Sequence, residues 1–180
     1  LLADLTLHWL TLDDAGITFE VEETGTTFEE NARLKAVEYA RSSGMLTLAD
    51  DSGLEVEALG GEPGVYSARY GGNGYDDIGR YRLVLEKLAA TPAPRRQARF
   101  RCVIAICTPT GDVHTAAGSV EGLIADGPRG SNGFGYDPIF FVEDYGRTMA
   151  ELPPETKNRI SHRARAIQAI HETLAALVGQ

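Results

Sequence analysis

Apolar and polar residues follow a helical period in the segment 28–43. Phe28, Ala32, Ala36, Tyr39 and Ala40 recur at the spacing that places them on one face of an α-helix. Thr27 and Glu30 match a capping box at the start of this segment, and Gly44 suits its end. The pattern therefore predicts a helix over residues 28–43.

Alternation and short apolar runs predict strands elsewhere, and further helical spacing predicts two more helices. Because strands and helices interleave and one turn suggests a hairpin, the pattern favours an α/β fold with a mixed β-sheet. The expected strands are Thr18–Glu22, Met45–Ala49, Phe100–Ile106, one within Val113–Ile124, and Pro138–Val142, with a turn at Pro109–Asp112. One expected helix carries Ile78, Tyr81, Leu85 and Leu88 on one face. The last expected helix carries Ile167, Ile170, Leu174 and Leu177 on one face and is capped by Ser161.

Composition and charge narrow the class of protein. The chain has 180 residues, 43% of them hydrophobic, which suits one compact domain or two lobes sharing a core. A net charge of -9 argues against nonspecific binding to nucleic acid or to anionic membranes. Cys102 and Cys107 lie five residues apart in one extended segment and would point to opposite faces, so we expect two buried thiols and neither a disulfide between them nor a CxxC metal site.

The acidic stretch 49–53 carries the strongest local signal. A buried strand that ends in Asp50 and Asp51, followed by a tight turn at Ser52-Gly53, places carboxylates at a sheet edge, as in metal-dependent phosphate chemistry. Adjacent strand residues face opposite ways, so only one aspartate can face a given site, and the other would brace the turn or support the site through hydrogen bonds to its ligands. The alternative is an Asx turn without chemistry. Glu23, at the end of the Thr18–Glu22 strand, would complete half of a magnesium site if it approached Asp51.

The start of the first helix offers two weaker signals. Thr24-Gly25-Thr26-Thr27 before a helix resembles a phosphate cradle, although helix capping explains most of the pattern. Lys35 falls among apolar positions of the helix and could reach a ligand. A surface lysine with a buried stem is an equal alternative.

The loop 130–137 is rich in glycine and aromatic residues. Glycines let a backbone approach a ligand closely, and Phe134 and Tyr136 could stack on a base. A structural turn is the alternative that we rank second.

Basic residues mark the start of the last helix. His162 and Arg163 occupy its first turn, where cations oppose the helix dipole, and Lys157 precedes them. This placement favours an anion or a carbonyl-rich base as the ligand.

Together these stretches resemble the inosine triphosphate pyrophosphatase family. The matching segments run in order from Glu23 to Arg163, and five such segments in order are highly specific. They are Glu23-Thr24-Gly25 with Thr27-Phe28-Glu29-Glu30-Asn31-Ala32, Leu48-Ala49-Asp50-Asp51-Ser52-Gly53-Leu54, Leu59-Gly60-Gly61 with Pro63-Gly64-Val65-Tyr66-Ser67-Ala68-Arg69-Tyr70, Gly133-Phe134-Gly135-Tyr136-Asp137-Pro138, and Lys157 with Ser161-His162-Arg163.

The resemblance implies a single domain over residues 1–180, with an elongated α/β fold of two lobes around a central cleft. It also implies a homodimer, while the two cysteines favour a reducing cytoplasm and the net charge argues against binding to nucleic acid or membranes. Its activity would be Mg²⁺-dependent cleavage between the α and β phosphates of ITP, dITP or XTP, which cleanses the nucleotide pool.

The resemblance also implies roles for individual residues. Asp51 is the expected catalytic residue and, with Glu23, a metal ligand. The expected substrate-binding residues are Ser52, Phe134, Gly135, Tyr136, Asp137, Lys157, His162 and Arg163. Asn31, Lys35, Asp50 and Arg69 are further candidates for the site.

Elementary chemistry agrees with these roles. A tight metal ligand is not easily a free base as well, so we assign Asp51 to the metal first and to proton abstraction second. Donors such as Arg163 pair with a 6-keto oxygen, whereas adenine presents an amino group there. An unpaired buried donor costs about 1–3 kcal/mol, which disfavours adenine but not guanine.

One departure from the family pattern is visible. Family members begin with a strand and a Thr-Asn-Lys loop that grips the triphosphate, whereas this sequence opens at Leu1-Leu2-Ala3-Asp4. We therefore expect an N-terminally truncated domain. The alternatives are a Maf-like nucleotide pyrophosphatase, against which the Ser-His-Arg segment argues, and a noncatalytic nucleotide-binding remnant.

Overall fold

The computed structural model describes Leu2 and residues 4–179. Helices and strands interleave, which confirms the predicted α/β class. In chain order the elements are α1 (Phe28–Ser43), β1 (Thr47–Val56), α2 (Asp77–Lys87), β2 (Gln97–Cys107), β3 (Val113–Ile124), β4 (Phe140–Val142), β5 (Arg147–Thr148), α3 (Pro154–Ile160) and α4 (His162–Leu177). None of the helices among the described residues is long and apolar enough to cross a membrane.

The first helix begins and ends where the sequence predicts. The Thr27 hydroxyl accepts the N–H of Glu30, and the Glu30 side chain returns to the cap backbone. Gly44 ends the helix in the left-handed conformation, at φ 68°. Local capping chemistry therefore fixes both ends of α1.

The strands form one five-stranded sheet in the order β1-β2-β3-β4-β5. The described pairings, β3 with β4 and β4 with β5, are antiparallel. The sequence predicts a mixed sheet, and these pairings differ from it because strands that are close neighbours in the chain pair most simply as antiparallel. The predicted turn after β2 is present, since the Thr108 N–H donates to the Asp112 carbonyl.

Two predictions about strands are wrong. Thr18–Glu22 is not a strand, because the Val21 N–H donates to the Tyr39 hydroxyl of α1 and not to a neighbouring strand. The acidic stretch does not end a strand, since β1 continues through it to Val56. The short helix α3, which begins at Pro154, was not predicted.

The described chain folds as two compact units, each with its own apolar core. The first holds the described residues up to Asp51, Cys102–Gly118, and the described residues from Arg163 onward. Its core is the face of β2 packed against the apolar stripe of α4, as the sequence predicts for that helix. The buried residues are Cys102, Ile104, Ile106, Ala166, Ile170 and Leu174.

The second unit comprises Ser52–Arg101 and Ser119–His162. Its core gathers the C-terminal half of β1, the apolar face of α2 and the strand β4. Its largest fully buried side chains include Leu54, Leu88, Ile139, Phe140 and Met149.

Candidate active site

The carboxylates of Glu23 and Asp51, both in the first unit, lie beside the same positive charge, the Lys35 ammonium. Asp51 is buried in β1, and Glu23 lies just before the loop that leads into α1. The Lys35 ammonium of α1 lies 2.6 Å from Glu23 Oε1 and 3.5 Å from Asp51 Oδ1. Both carboxylates are thus within reach of a single positive charge, and Lys35 is not a surface lysine directed into solvent.

The strand geometry separates the two adjacent aspartates. Asp51 accepts a hydrogen bond from Asn31 Nδ2 at 3.1 Å, whereas Asp50 accepts one from Arg163 Nε at 3.1 Å. Cys102 Sγ is also 3.8 Å from Asp50. Because residues alternate along a strand, one aspartate belongs to the α1 side and the other to the α4 side. An Asx turn is excluded, since both residues lie within β1.

This donor set suits Mg²⁺. Among the residues that the structure describes, no group of three or more His, Cys, Asp or Glu side chains converges as a metal site. Mg²⁺ in nucleotide-binding sites is held by one or two carboxylates, with waters and substrate phosphates completing its shell. Glu23 and Asp51 offer that number of hard oxygen atoms, and both lie within ion-pair distance of one ammonium.

The thiol beside Asp50 does not act as a nucleophile. Burial, and secondarily the Asp50 charge, raise the pKa of Cys102 to about 12. Burial also raises the pKa of Cys107. Neither cysteine is in a disulfide, as predicted. Since the thiolate is the reactive form, the raised pKa values disfavour reaction of either thiol at neutral pH.

In the second unit, the buried carboxylate of Asp137 organises the glycine-rich loop. It accepts the N–H of Phe134 at 2.9 Å and forms an ion pair with Lys157. Gly133 has φ +84°, and a Cβ there would overlap the Asp137 carboxylate and lie 2.7 Å from Lys157 Nζ. This glycine is therefore required by packing within the loop itself.

The two aromatic residues of the loop have different environments. Phe134 is 63% exposed, with the Lys157 ammonium 4.8 Å from its ring centroid. Tyr136 is only 5% exposed, and its hydroxyl donates to the Ser67 carbonyl at 2.8 Å. The Tyr136 ring is therefore part of the core, and Phe134 is the ring of this loop that offers an exposed face. Gly135 is held by its N–H, which donates to Asp77 Oδ2 at 2.9 Å.

The start of α4 carries the predicted basic pair. His162 is buried and stacks on Phe100, with ring centroids 4.9 Å apart and planes at 23°. Arg163 is paired with Asp50, so a carboxylate offsets the positive charge at this helix start. The sequence attributes the basic residues at this helix start to an anionic or carbonyl-rich ligand. The carboxylate of Asp50 explains the position of Arg163 in part. Ser161 lies between α3 and α4, with its N–H donating to the Lys157 carbonyl.

The two remaining candidates, Ser52 and Arg69, belong to the second unit. Ser52 is half-buried in β1, and the Arg69 guanidinium lies 5.2 Å from the Tyr66 ring centroid. Between them in the sequence, buried Ser67 accepts the Leu54 N–H at 2.9 Å and donates to the Gly64 carbonyl at 2.7 Å. Ser67 belongs to the segment 63–70 that carries part of the family resemblance. A serine in such a turn-rich segment does not reveal its hydrogen-bond partners from the sequence.

Fold and side chains define a class: an α/β protein with a carboxylate pair suited to a cation and an exposed aromatic ring on a glycine-rich loop. The chain belongs to the Ham1 family, whose model matches residues 1–173. This membership confirms the family resemblance seen in the sequence.

Relatives and solved structures are similar to this protein over most of the chain. A dITP/XTP pyrophosphatase of Bacillus licheniformis is 52% identical over 161 residues, which are 89% of this chain and 82% of the relative. One of Geobacter sulfurreducens is 50% identical over 97% of this chain and 87% of its own length. The Staphylococcus aureus Ham1 protein matches with a TM-score of 0.89 and 46% identity, covering 94% of this chain and 88% of that one.

Proposed function

We propose that this protein hydrolyses the non-standard purine nucleotides ITP, dITP and XTP to the monophosphate and pyrophosphate, and so cleanses the nucleotide pool. The observation that carries the proposal is the convergence of Glu23 and Asp51 on one cationic group. Relatives that share about half of their residues with this chain, over most of its length, are dITP/XTP pyrophosphatases.

The acidic residues of the first unit would carry the reaction. Glu23 and Asp51 would hold Mg²⁺, which neutralises charge on the phosphate oxygens when bound. A water oxygen attacks the α phosphorus, the bond to the α–β bridging oxygen breaks, and pyrophosphate leaves. Lys35 adds a positive charge beside both carboxylates. The main role of Asp51 would be to orient the attacking water, and its secondary role would be to accept the proton of that water.

Residues around the glycine-rich loop and the start of α4 would recognise the base. The exposed ring of Phe134 offers a stacking surface, and the ion pair with Asp137 holds Lys157 near that ring. His162 and Arg163 are donors for a 6-keto oxygen. Because an unpaired buried donor costs about 1–3 kcal/mol, adenine nucleotides would be poorer substrates.

The test is product analysis with purified protein, ITP and Mg²⁺. We expect pyrophosphate and IMP, with activity lost on chelation by EDTA and restored by Mg²⁺. Asp51→Asn should lower kcat at least about 100-fold, the lower end of what acid–base groups contribute. Asp112→Asn, in the exposed turn after β2, is the matched control and should leave kcat unchanged. Release of orthophosphate, or full activity in Asp51→Asn, would contradict the proposal.

We extend the proposal to assembly and location. We expect a cytoplasmic homodimer that binds neither nucleic acid nor membranes. The net charge of -9 supports the expected lack of nucleic-acid and membrane binding, and the two free cysteines support the cytoplasmic location. Light scattering coupled to size exclusion would give twice the 19.4 kDa chain mass if the dimer forms.

A further inference from the structure

The side-chain amide of Asn31 joins the two acidic positions of the first unit. Asn31 lies in the first turns of α1 and is completely buried. Its Oδ1 accepts the Gly25 N–H at 2.8 Å, and its Nδ2 donates to Asp51 Oδ2 at 3.1 Å. Since the amide oxygen only accepts and the nitrogen only donates, these two contacts fix the orientation of the amide.

The contact with Gly25 is tight. A Cβ on Gly25 would lie 2.6 Å from Asn31 Oδ1 and 2.7 Å from the Glu30 Cβ, so this close approach requires glycine. Glu23 lies two residues before Gly25 in the same segment. The amide of Asn31 therefore anchors the segment that carries Glu23 as well as the carboxylate of Asp51.

The two oxygens of Asp51 have different partners. Oδ2 faces the Asn31 amide, while Oδ1 is the oxygen directed toward the Lys35 ammonium at 3.5 Å. The carboxylate of an aspartate can rotate about the Cβ–Cγ bond, and a hydrogen bond to one of its oxygens restrains that rotation. Hydrogen-bond partners of metal-binding carboxylates typically contribute 10- to 100-fold in metal affinity through such orientation.

We propose that Asn31 is a positioning residue for the cation site: it holds Asp51 with Oδ1 available to a divalent cation and holds the Glu23 segment beside it. The effect on catalysis rests on the proposed function, whereas the effect on cation binding does not. An amide that only joined a helix to a loop would change the stability of the fold and leave cation affinity unaltered.

The experiment compares Asn31→Leu, which keeps the branching at Cγ but is bulkier and removes both hydrogen bonds, with Tyr39→Phe. Tyr39 lies on the same helix, is buried, and its hydroxyl accepts the Val21 N–H at 3.2 Å. The control therefore also removes a buried hydrogen bond between α1 and the segment before it. The measurements are Mn²⁺ dissociation constants from EPR titration, thermal unfolding, and kcat and KM for ITP.

We expect Asn31→Leu to raise the Mn²⁺ dissociation constant about 10- to 100-fold and to lower kcat while the KM for ITP stays unchanged. Tyr39→Phe should lower the melting temperature but change the Mn²⁺ constant less than Asn31→Leu does, because it leaves the hydrogen bond between Asn31 and Asp51 in place. Asn31→Ala, which introduces no steric overlap, is measured in parallel so that misfolding of the leucine variant leaves the test intact. A folded Asn31 variant that binds Mn²⁺ as the wild type does, or an equal loss of Mn²⁺ affinity in Tyr39→Phe, would overturn the proposal. Absence of pyrophosphate release by the wild type would instead refute the proposed function, and the Mn²⁺ titration would still decide the role of Asn31.

Discussion

The Ser67 hydroxyl should be one of the most sensitive polar groups of the second unit. It accepts the Leu54 N–H at 2.9 Å and donates to the Gly64 carbonyl at 2.7 Å. A Cβ on Gly53 would overlap this hydroxyl, so the surrounding backbone is packed directly around it. Ser67→Ala removes the hydroxyl oxygen and changes nothing else in the side chain.

The expected loss follows from the burial of the donor. Leu54 is 0% exposed, so its N–H would lose its acceptor where water does not enter. An unsatisfied buried backbone group costs about 1–3 kcal/mol. For a chain of this length, each kcal/mol lowers the melting temperature by about 2–4 °C, so a loss of about 2 kcal/mol lowers it by about 4–8 °C.

Ser43→Ala provides a matched control. The Ser43 hydroxyl also donates to a carbonyl, that of Tyr39 at 2.8 Å, and accepts a backbone N–H, that of Met45 at 3.2 Å. Met45 is 37% exposed, so water can replace the lost acceptor and the loss should stay near 0.5 kcal/mol or below, about the size of surface substitutions. Thermal unfolding followed by circular dichroism measures both variants. Equal shifts in the two proteins would refute the reasoning, because only burial distinguishes them.

Three further predictions concern other parts of the chain. Gly133→Ala should raise the KM for ITP, because a Cβ there would overlap the Asp137 carboxylate and displace the loop; steady-state kinetics with an unchanged KM would count against this. Cys102, with its pKa raised by burial to about 12, should resist iodoacetamide at pH 8 in the native protein and react once denaturant is added, as mass spectrometry can show. Hydrogen bonds from the Thr26 backbone and hydroxyl lower the pKa of Glu30 below 4.5. The stability from this group is therefore present above pH 4.5 and lost as the pH falls through the lower folded-state pKa, so Glu30→Gln should flatten the acid side of a stability–pH profile.

Local sequence chemistry predicted the elements whose ends it controls. The capping box of α1, its glycine end and the apolar stripe of α4 depend on residues within one or two turns, and the structure has them as expected. Alternation failed for Thr18–Glu22 because a strand also needs a neighbour, and the Val21 N–H finds the Tyr39 hydroxyl instead. It also failed at the acidic stretch, where turn-forming residues lie inside β1 because the sheet supports them.

The candidate site shows the same division. The residue types of Glu23, Asp51 and Lys157 indicated chemistry, since carboxylates and cations are rarely buried without a partner. Which groups pair could not be read from the sequence, because the partners of Asp51 and Asp50 come from positions 20 and 113 residues away. Tyr136 illustrates the limit, because a ring on a glycine-rich loop can face either a ligand or the core.

The sequence by itself determined the family, the α/β class and the ends of α1, because motif order and capping are properties of the chain alone. Only the tertiary structure decided that Lys35 bridges Glu23 and Asp51, that Asn31 orients Asp51, and that Asp50 offsets the charge at the start of α4. The physical reason is that such contacts depend on packing between distant segments, and a periodic pattern specifies a face of an element but not the side chain that it meets.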